Sequence, residues 1–463
     1  MSNIMKMVSN AIWTPLYFLL FGLGIYFTLK TNFFQVRKFK FMLKKTVGMI
    51  FDKQQSTDKG AFTPWQAVAT SLGSTVGTGN IVGVSTAIVV GGPGAIFWMW
   101  IISFFGMMLK YSEIVLALKF REKNENGEWC GGPMYYIKNG LKLPLLASLF
   151  SILLVIAALT AGNIVQINSI ALILEDYISV PSLLTGVIVA FIIALVVIGG
   201  MQSIGKVTEK LVPIMSIMYI AGSIFVFIVN IKYIPGVFAS IFQEAFKLKS
   251  IGGGALGYGI FTAMHYGIAR GTASSEAGLG SAPIAQAASN LKEPVEQALY
   301  GILEVFVSSM IICTSTALVI LTGRIYDKNV YGNAILNFGL NGLKNLDHGV
   351  VLTAKSFASA MGLPIARLFV TLCIIFFALS TIIGYFYYGL KAIEFLFAKK
   401  SAGIYKFIFL AAIVIGSVID INLVWELSDI SDGLMAIPNL IALIFLSPIV
   451  LTETKKYFDK QSQ

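Results

Sequence analysis

The sequence reads Gly73-Ser-Thr-Val-Gly77-Thr-Gly79-Asn80 at one point and Arg270-Gly-Thr-Ala-Ser-Ser-Glu276-Ala-Gly-Leu-Gly-Ser-Ala-Pro283 at another, and these two stretches decide the fold. Each lies inside an apolar segment long enough to cross a membrane, since about 20 apolar residues span the hydrocarbon core. Glycine at this density favours unwound backbone over regular helix. Unwound backbone at membrane depth is tolerated only where protein, water or a ligand satisfies its amides and carbonyls. Both segments are therefore predicted to be interrupted helices that line a site.

The rest of the chain has the composition of a polytopic α-helical membrane protein. Of its 463 residues, 56% are hydrophobic and 12% are charged, about half the charged fraction of a soluble domain. The formal charge of +11 sits in short loops, which is typical of the positive-inside rule and argues against nucleic acid as a partner. Eleven candidate spans lie near 12–29, 65–90, 95–118, 147–174, 182–200, 210–230, 253–289, 295–321, 365–396, 404–420 and 430–450.

The basic loops also predict the orientation in a prokaryotic inner membrane. If the N-terminus is outside, Lys and Arg collect on one side, which is then cytoplasmic and also holds the C-terminus. The first span, 12–29, is followed by Lys30, Arg37 and Lys38, so we interpret it as a retained helix and not a signal peptide. The long loop 322–364 is discounted, because long loops contribute little to this rule.

The two interrupted spans are the second and the seventh, five helices apart. This spacing predicts an inverted five-plus-five repeat preceded by one extra helix, in which the discontinuous helices meet at the midplane and form substrate and ion sites. The predicted organisation has four parts. They are 1–60 (the extra helix and a basic cytoplasmic loop), 61–235 (the first repeat), 236–450 (the second repeat) and 451–463 (a cytoplasmic tail).

The first stretch has the chemistry of a site for a carboxylate and a cation. Gly77 and Gly79 leave backbone amides bare, and a half-helix beginning near Asn80 directs a positive dipole at a carboxylate. Carbonyls that end the preceding half-helix suit Na⁺. The alternative is that the small residues only allow helices to pack closely.

Polar residues in other spans are weaker candidates. Arg270 and Glu276 are costly inside a membrane and suggest function, although a structural ion pair that latches the unwound segment explains them equally well. His265, on the same span, is more often a hydrogen-bonded core residue than a proton relay. Gln166, like its neighbour Asn163, needs a partner in mid-helix.

Several further blocks, in order along the chain, resemble the alanine/glycine:cation symporters, also called sodium:alanine symporters. The blocks are Thr78-Gly-Asn-Ile-Val-Gly83, Gly91-Gly-Pro-Gly-Ala-Ile-Phe-Trp-Met-Trp100, Gly131-Gly-Pro-Met-Tyr-Tyr-Ile137, Glu276-Ala-Gly-Leu-Gly-Ser-Ala-Pro283, Ser380-Thr-Ile-Ile-Gly384 and Asp432-Gly-Leu-Met-Ala-Ile-Pro-Asn439. The resemblance implies the leucine-transporter fold and symport of alanine or glycine with Na⁺, less often with H⁺.

The resemblance also implies a set of site residues. The segment from Thr75 to Asn80 matches the unwound first helix of that fold, so the backbone of Gly77, Thr78 and Gly79 would hold the substrate carboxylate. Asn80 would serve the substrate or a second ion, and Gln166 matches a pocket glutamine. The Na⁺ site would consist of the carbonyls of Gly73, Val76 and Phe377 with the hydroxyls of Ser380 and Thr381. Without the resemblance, those two hydroxyls would be expected to bond back to their own helix.

The chain departs from the family pattern at three places. It has Ala273-Ser-Ser-Glu276 where members commonly read Phe-Ser-Asn-Glu, Ser308-Ser309 where they commonly have Asp-Thr, and Tyr385 where they have Trp. Ala273 in place of Phe frees volume and favours a substrate larger than glycine. The lost Asp calls into question any coupling role at Ser308.

Other functional classes fit the sequence less well. The proposed ion ligands are neutral oxygens, which suit Na⁺ better than H⁺. A channel usually repeats its selectivity element between subunits, whereas this chain carries one intramolecular pair of broken helices. An enzyme would need a metal cluster or an activated nucleophile, and neither His265 and His348 nor the three cysteines (Cys130, Cys313, Cys373) form such a motif. The expected partners are a small neutral amino acid, Na⁺ and the lipid bilayer, with no resident cofactor. The sequence sets no oligomeric state.

Overall fold

The computed structural model describes residues 2–50, 60–246, 258–323, 349–397 and 401–461, which are almost entirely helical. Residues 253–257 of the predicted seventh span, most of the 322–364 loop, and the basic residues Lys53, Lys59, Lys399 and Lys400 lie outside these ranges. The helices are α1 (Ser2–Lys30), α2 (Phe34–Arg37), α3 (Phe39–Ile50), α4 (Pro64–Thr75), α5 (Val82–Gly91), α6 (Gly94–Lys119), α7 (Pro133–Tyr136), α8 (Pro144–Leu159), α9 (Val165–Ile178), α10 (Ser182–Ile198), α11 (Gly200–Val229), α12 (Ile234–Ala245), α13 (Tyr258–Ser275), α14 (Pro283–Ala287), α15 (Pro294–Val305), α16 (Thr314–Thr322), α17 (Val350–Met361), α18 (Leu363–Phe397), α19 (Ala402–Gly416) and α20 (Ile421–Gln461).

Seven of the described helical segments are long and apolar enough to cross a membrane. An eighth span forms when α4 is joined to the segment Thr78–Gly91, with a bend of 56° between them. The shorter apolar helices α10 and α19 and the interrupted pair α13 and α14 account for the remaining predicted spans. The polytopic all-helical class is confirmed. The helix α17 was not predicted, because it lies within the stretch treated as a loop.

Two of the long spans contain π-helical segments that the sequence did not indicate. Thr160–Ile164 joins α8 to α9, and Phe306–Cys313 joins α15 to α16. A π segment leaves local carbonyls without their usual helical partners and often occurs at functional sites. The second of these segments contacts the first interrupted span directly, and the first is linked to it through Gln166, as described below.

A short hairpin and an isolated bridge lie close to the start of α4. A two-residue hairpin pairs β1 (Glu122–Lys123) with β2 (Trp129–Cys130). Nearby, Phe62 forms a parallel bridge with Ser289, so the segment that enters α4 is tied to the segment that leaves α14. The helix α4 begins with a capping box between Thr63 and Gln66, with Pro64 in its first turn, which is a strong signal for a helix start.

Candidate functional site

The first interrupted span unwinds at Gly77. The helix α4 ends at Thr75, the Gly77 backbone is extended, and one 3₁₀ turn over Thr78–Asn80 precedes α5. A Cβ on Gly77 would overlap the Thr381 hydroxyl, whereas a Cβ on Gly79 would meet no heavy atom within 4 Å. Gly79 is also the one residue of 71–80 that is not buried. Gly77 therefore permits a close approach between helices, and Gly79 faces open space.

Side chains already engage two of the three amides that were predicted to hold a carboxylate. The Gly77 amide donates to Asn80 Oδ1 at 3.1 Å. Gln166 Oε1 accepts from the amide and the hydroxyl of Thr78, at 3.2 and 2.9 Å. Gln166 is itself held by Ala161 in the first π segment, whose carbonyl accepts from Nε2 at 3.0 Å. The amide oxygen of Gln166 thus occupies the place on Thr78 where a carboxylate oxygen was expected.

Asn80 attaches the break to the second π segment. Its Nδ2 donates to the Ser308 carbonyl at 3.1 Å and to Cys313 Sγ at 3.2 Å. Its backbone carbonyl accepts from the Thr316 hydroxyl at 2.9 Å. Ser308, one of the departures from the family pattern, therefore meets the break through its backbone and not through its side chain.

Four of the five predicted Na⁺ ligands cluster around the end of α4. The Gly73 carbonyl accepts from the hydroxyls of Ser380 and Thr381, at 2.9 and 3.2 Å. Both hydroxyls also donate to the Phe377 carbonyl, at 2.8 and 3.0 Å. The expected bonds back to their own helix are therefore present, together with bonds across to α4. Val76, the fifth predicted ligand, is buried immediately after α4.

The second interrupted span unwinds between Glu276 and Ala282. Gly278 and Gly280 have φ of 87° and 82°, and Glu276 has φ of 52°, a conformation that a glutamate rarely adopts. The Glu276 carboxylate accepts from the Ser281 hydroxyl at 2.6 Å. A non-glycine residue held in this region is a feature of functional segments.

Glu113 of α6 and Asn439 of α20 hold this second break in place. Glu113 Oε1 accepts from the Gly280 amide at 3.1 Å and from Asn439 Nδ2 at 2.5 Å. Asn439 Nδ2 also donates to the Gly278 carbonyl at 2.9 Å. By contrast, the glycines at 267 and 271 lie within regular helix, where a Cβ would crowd α6. For those two glycines the close-packing explanation holds.

Arg270 pairs with Asp429 of α20 and not with Glu276. Its guanidinium binds both carboxylate oxygens, at 2.9 and 3.0 Å, and lies 5.3 Å from the centre of the Trp425 ring. Trp13 Nε1 donates to the Asp429 carbonyl at 2.8 Å. The expected pairing with Glu276 was wrong because side chains six residues apart do not share a helix face.

Tyr385 and Ala273 lie beside the breaks, and the Tyr385 hydroxyl is a hydrogen-bond partner of the Glu276 carboxylate. The Tyr385 ring packs directly on Gly162 of the first π segment, where a Cβ would overlap it. It also stacks edge-on with Tyr388 at 5.5 Å, and the Tyr388 hydroxyl bonds Ser74 at 2.6 Å. Ala273 is partly exposed within an otherwise buried turn.

Sequence reasoning missed several buried charges in the spans. Lys110 and Glu304 form an ion pair at 3.1 Å with both side chains fully buried. Asp432 is buried, and its Oδ1 has no hydrogen-bond partner among the described residues. The sequence does contain a signal for these charges: Lys110 and Glu113 interrupt an apolar span, and charged residues at that depth indicate function.

A bundle of membrane-spanning helices with two interrupted helices meeting at a polar centre defines a secondary transporter. The comparison with known proteins then gives the family. The profile of the sodium:alanine symporter family matches residues 1–463, and the chain belongs to that family.

Named relatives agree with this assignment, and a solved structure shares the fold. The chain is 41% identical to the sodium/alanine symporter AgcS of Methanococcus maripaludis over 98% of its length and 97% of the relative's. It is 37% identical to the probable sodium/glutamine symporter GlnT of Bacillus subtilis, over 99% and 91%. A manganese transporter from Eremococcus coleocola matches with a TM-score of 0.54 at 13% identity, over 88% of this chain and 82% of that one, which shows a shared fold alone. The protein is a multi-span, cation-coupled amino-acid symporter and not an enzyme.

Proposed function

We propose that this protein imports a small neutral amino acid, alanine or glycine, together with Na⁺ by alternating access. The observation that carries the proposal is the cluster of uncharged oxygens at the end of α4: the Gly73 and Phe377 carbonyls with the Ser380 and Thr381 hydroxyls. Such a cluster has no group that takes up a proton at neutral pH, so it favours a permanent cation over H⁺. When Na⁺ binds, the two hydroxyls would turn their protons away and present lone pairs to the ion.

The substrate would lie against Gly79, between the two breaks. Its carboxylate would meet the Gly79 amide and displace the Gln166 oxygen from Thr78, since both oxygens are acceptors for the same donors. The close contact of Tyr385 with Gly162 limits the space beside the first π segment, which favours a small side chain. Ala273, in the last turn of α13 before the second break, adds room there and favours alanine over glycine.

Access to this site would alternate between the two sides of the membrane. On each side a set of contacts, which we call a latch, would close the site and would break when that side opens. One joins Arg270 to Asp429 on the side where α1 begins, which we assign to the outside of a prokaryotic inner membrane. The other joins the entry of α4 to the exit of α14 on the cytoplasmic side, through the hydrogen bond from the Phe62 amide to the Ala288 carbonyl at 2.9 Å.

Arg121 reinforces the cytoplasmic latch. It donates to the carbonyls of Ala287, Ser289 and Leu291, at 3.0, 2.6 and 2.5 Å. Its guanidinium also lies 4.2 Å from the centre of the Trp129 ring. Burial lowers the pKa of Arg121 to about 10, so the latch keeps its charge at neutral pH.

The test is uptake by purified protein in proteoliposomes. An inward Na⁺ gradient should drive accumulation of labelled alanine, and replacing Na⁺ with choline should abolish it. Unlabelled glycine should compete, glutamine should compete weakly, and alaninamide, which lacks a carboxylate, should not compete. Uptake driven by a pH gradient in the absence of Na⁺ would show that the coupling ion is H⁺.

A further inference from the structure

Lys110 lies where both interrupted helices end. Its Nζ donates to Thr75 Oγ1, on the last residue of α4, at 3.0 Å. It donates to the carbonyl of Ser275, the last residue of α13, at 2.9 Å. Its third contact is Glu304 Oε2 of α15 at 3.1 Å. The ammonium group thus has three partners on three different elements, and each proton is used.

The charges around Lys110 are complementary. A helix C-terminus carries a partial negative charge of about half an electron, and the ammonium group meets one such end at the Ser275 carbonyl and the other through the Thr75 hydroxyl. Glu304 also accepts from Ser71 Oγ at 2.9 Å and from Gln286 of α14, so the pair reaches the second half of the second interrupted span as well. The ammonium group is therefore the cation that Glu304 and both helix ends share, and the buried carboxylates of Glu276 and Glu113 also lie within its electrostatic reach.

We propose that Lys110 supplies, as a fixed part of the chain, the positive charge that a second coupling ion would otherwise bring to the broken helices. Each amino acid is then carried with a single Na⁺, bound by the cluster at Gly73 and Phe377. This inference rests on the proposed function and adds its stoichiometry. A mobile cation could not share the Lys110 position, because like charges a few ångströms apart repel strongly in a medium of low dielectric constant.

The first measurement is the steady-state accumulation of alanine in proteoliposomes, with the membrane potential clamped at zero. A tenfold Na⁺ gradient should concentrate alanine about tenfold with one coupled ion and about a hundredfold with two. The reason is that each coupled ion adds the free energy of one tenfold concentration ratio. We expect about tenfold. About a hundredfold accumulation would overturn the inference while leaving Na⁺-driven symport intact, and no accumulation at all would overturn the proposed function instead.

Variants then separate charge compensation from packing. Lys110→Met keeps the length of the side chain and removes its charge, leaving Glu304 and both helix ends without a cation. We expect transport to fall at least tenfold, or to persist only with a steeper Na⁺ dependence as a second ion takes the vacated position. Wild-type transport with an unchanged Na⁺ requirement would contradict the inference.

Two further variants serve if Lys110→Met does not fold. Lys110→Met combined with Glu304→Gln removes both buried charges, which membrane proteins tolerate better than one uncompensated charge. We expect this variant to insert and to bind alanine at least tenfold more weakly. Wild-type affinity in it would show that the ammonium group is structural only. Lys391→Met is the matched control: Lys391 is also a buried lysine between two carboxylates, Glu128 and Glu394, and this change should leave the accumulation ratio of alanine unaltered.

Discussion

At the residue scale, Gly79 offers the cleanest test of substrate recognition. We expect Gly79→Ala to abolish alanine binding while the protein still inserts and folds. The added methyl would meet no protein atom within 4 Å, so folding should tolerate it, but it would occupy the space assigned to the substrate. Calorimetric or scintillation-proximity binding on purified protein measures the effect.

The controls for Gly79 use the same substitution elsewhere. Gly22→Ala also places a methyl in open space, but on α1 and away from the breaks, and should bind alanine normally. Gly77→Ala should damage the structure itself, because its methyl would overlap Thr381. Normal alanine affinity in Gly79→Ala would show that the substrate lies elsewhere.

Ser380 and Thr381 test the ion site. We expect Ser380→Ala and Thr381→Ala each to raise the Na⁺ concentration for half-maximal uptake by about tenfold, a loss of about 1.4 kcal/mol of ion binding. A purely structural interhelical hydrogen bond in a membrane is worth only about 0.6 kcal/mol. Thr371→Ala, on the same helix, removes a hydroxyl without a described partner and should leave Na⁺ dependence unchanged. The assignment fails if both site variants retain the wild-type requirement.

Residue identities were easier to predict than partners. The sequence singled out Arg270 because a guanidinium inside a membrane is costly, but its partner, Asp429, is 159 residues away along the chain. Ser380 and Thr381 were found only through resemblance, since hydroxyls in helices are common. Lys110 also interrupts an apolar span, but it lies outside the two glycine-rich spans from which the site was predicted.

At the element scale, glycine spacing predicted both breaks, because unwound backbone needs residues without side chains. The breaks lie at 76–81 and 276–282; the second lies within its predicted stretch of 270–283, and the first extends one residue beyond its predicted stretch of 73–80. The π segments at Thr160–Ile164 and Phe306–Cys313 have no such composition. They depend on tertiary contacts, such as Tyr385 on Gly162 and Asn80 on the Ser308 carbonyl, which a single sequence does not display.

The Arg270–Asp429 pair, which joins α13 to α20, tests the outer latch. We expect Arg270→Gln and Asp429→Asn each to loosen this side of the molecule, because either change leaves one partly buried charge unpaired. Arg270→Lys should keep measurable alanine binding while losing the bidentate geometry. The measurement is thiol accessibility from outside, using a cysteine introduced at Ala273.

A double-mutant cycle separates the latch from general destabilisation. Arg270→Gln combined with Asp429→Asn should be less harmful than the sum of the two single changes, with a coupling of about 1–2 kcal/mol in thermal stability. The pair of the exposed Lys119 with the partly buried Glu453, at 3.1 Å, should show less coupling, because one of its two charges is in contact with solvent. Total loss of alanine binding in Arg270→Lys would indicate that Arg270 binds the substrate directly.

At the scale of the whole molecule, family and fold followed from the sequence, while the division into repeats at 61–235 and 236–450 is still a prediction. Hydrophobic length fixes how many helices cross, because the bilayer imposes one thickness on all of them. The path between α16 and α17 falls largely outside the described residues. The short helix α17 shows that this region is more than a simple loop.

The orientation in the membrane is the last prediction and the one with the widest consequences. In the structure, basic residues from distant parts of the chain meet at one end of the bundle. Lys45 lies 3.5 Å from Glu296, Lys119 lies 3.1 Å from Glu453, and Lys38 lies 4.7 Å from the centre of the Phe458 ring. Positive charge is retained on the cytoplasmic side during insertion, so this end should be inside.

A cysteine introduced at Asn3 should therefore react with an impermeant maleimide in intact cells, and one introduced at Gln463 should react only after the cells are opened. The three native cysteines are all buried, which keeps the background low, and the unmodified protein is the control. The opposite labelling pattern would exchange the two latches, placing Arg270 and Asp429 on the cytoplasmic side and Arg121 outside. The Na⁺ cluster and Lys110 would keep their geometry, and the Na⁺ gradient would still set the direction of transport.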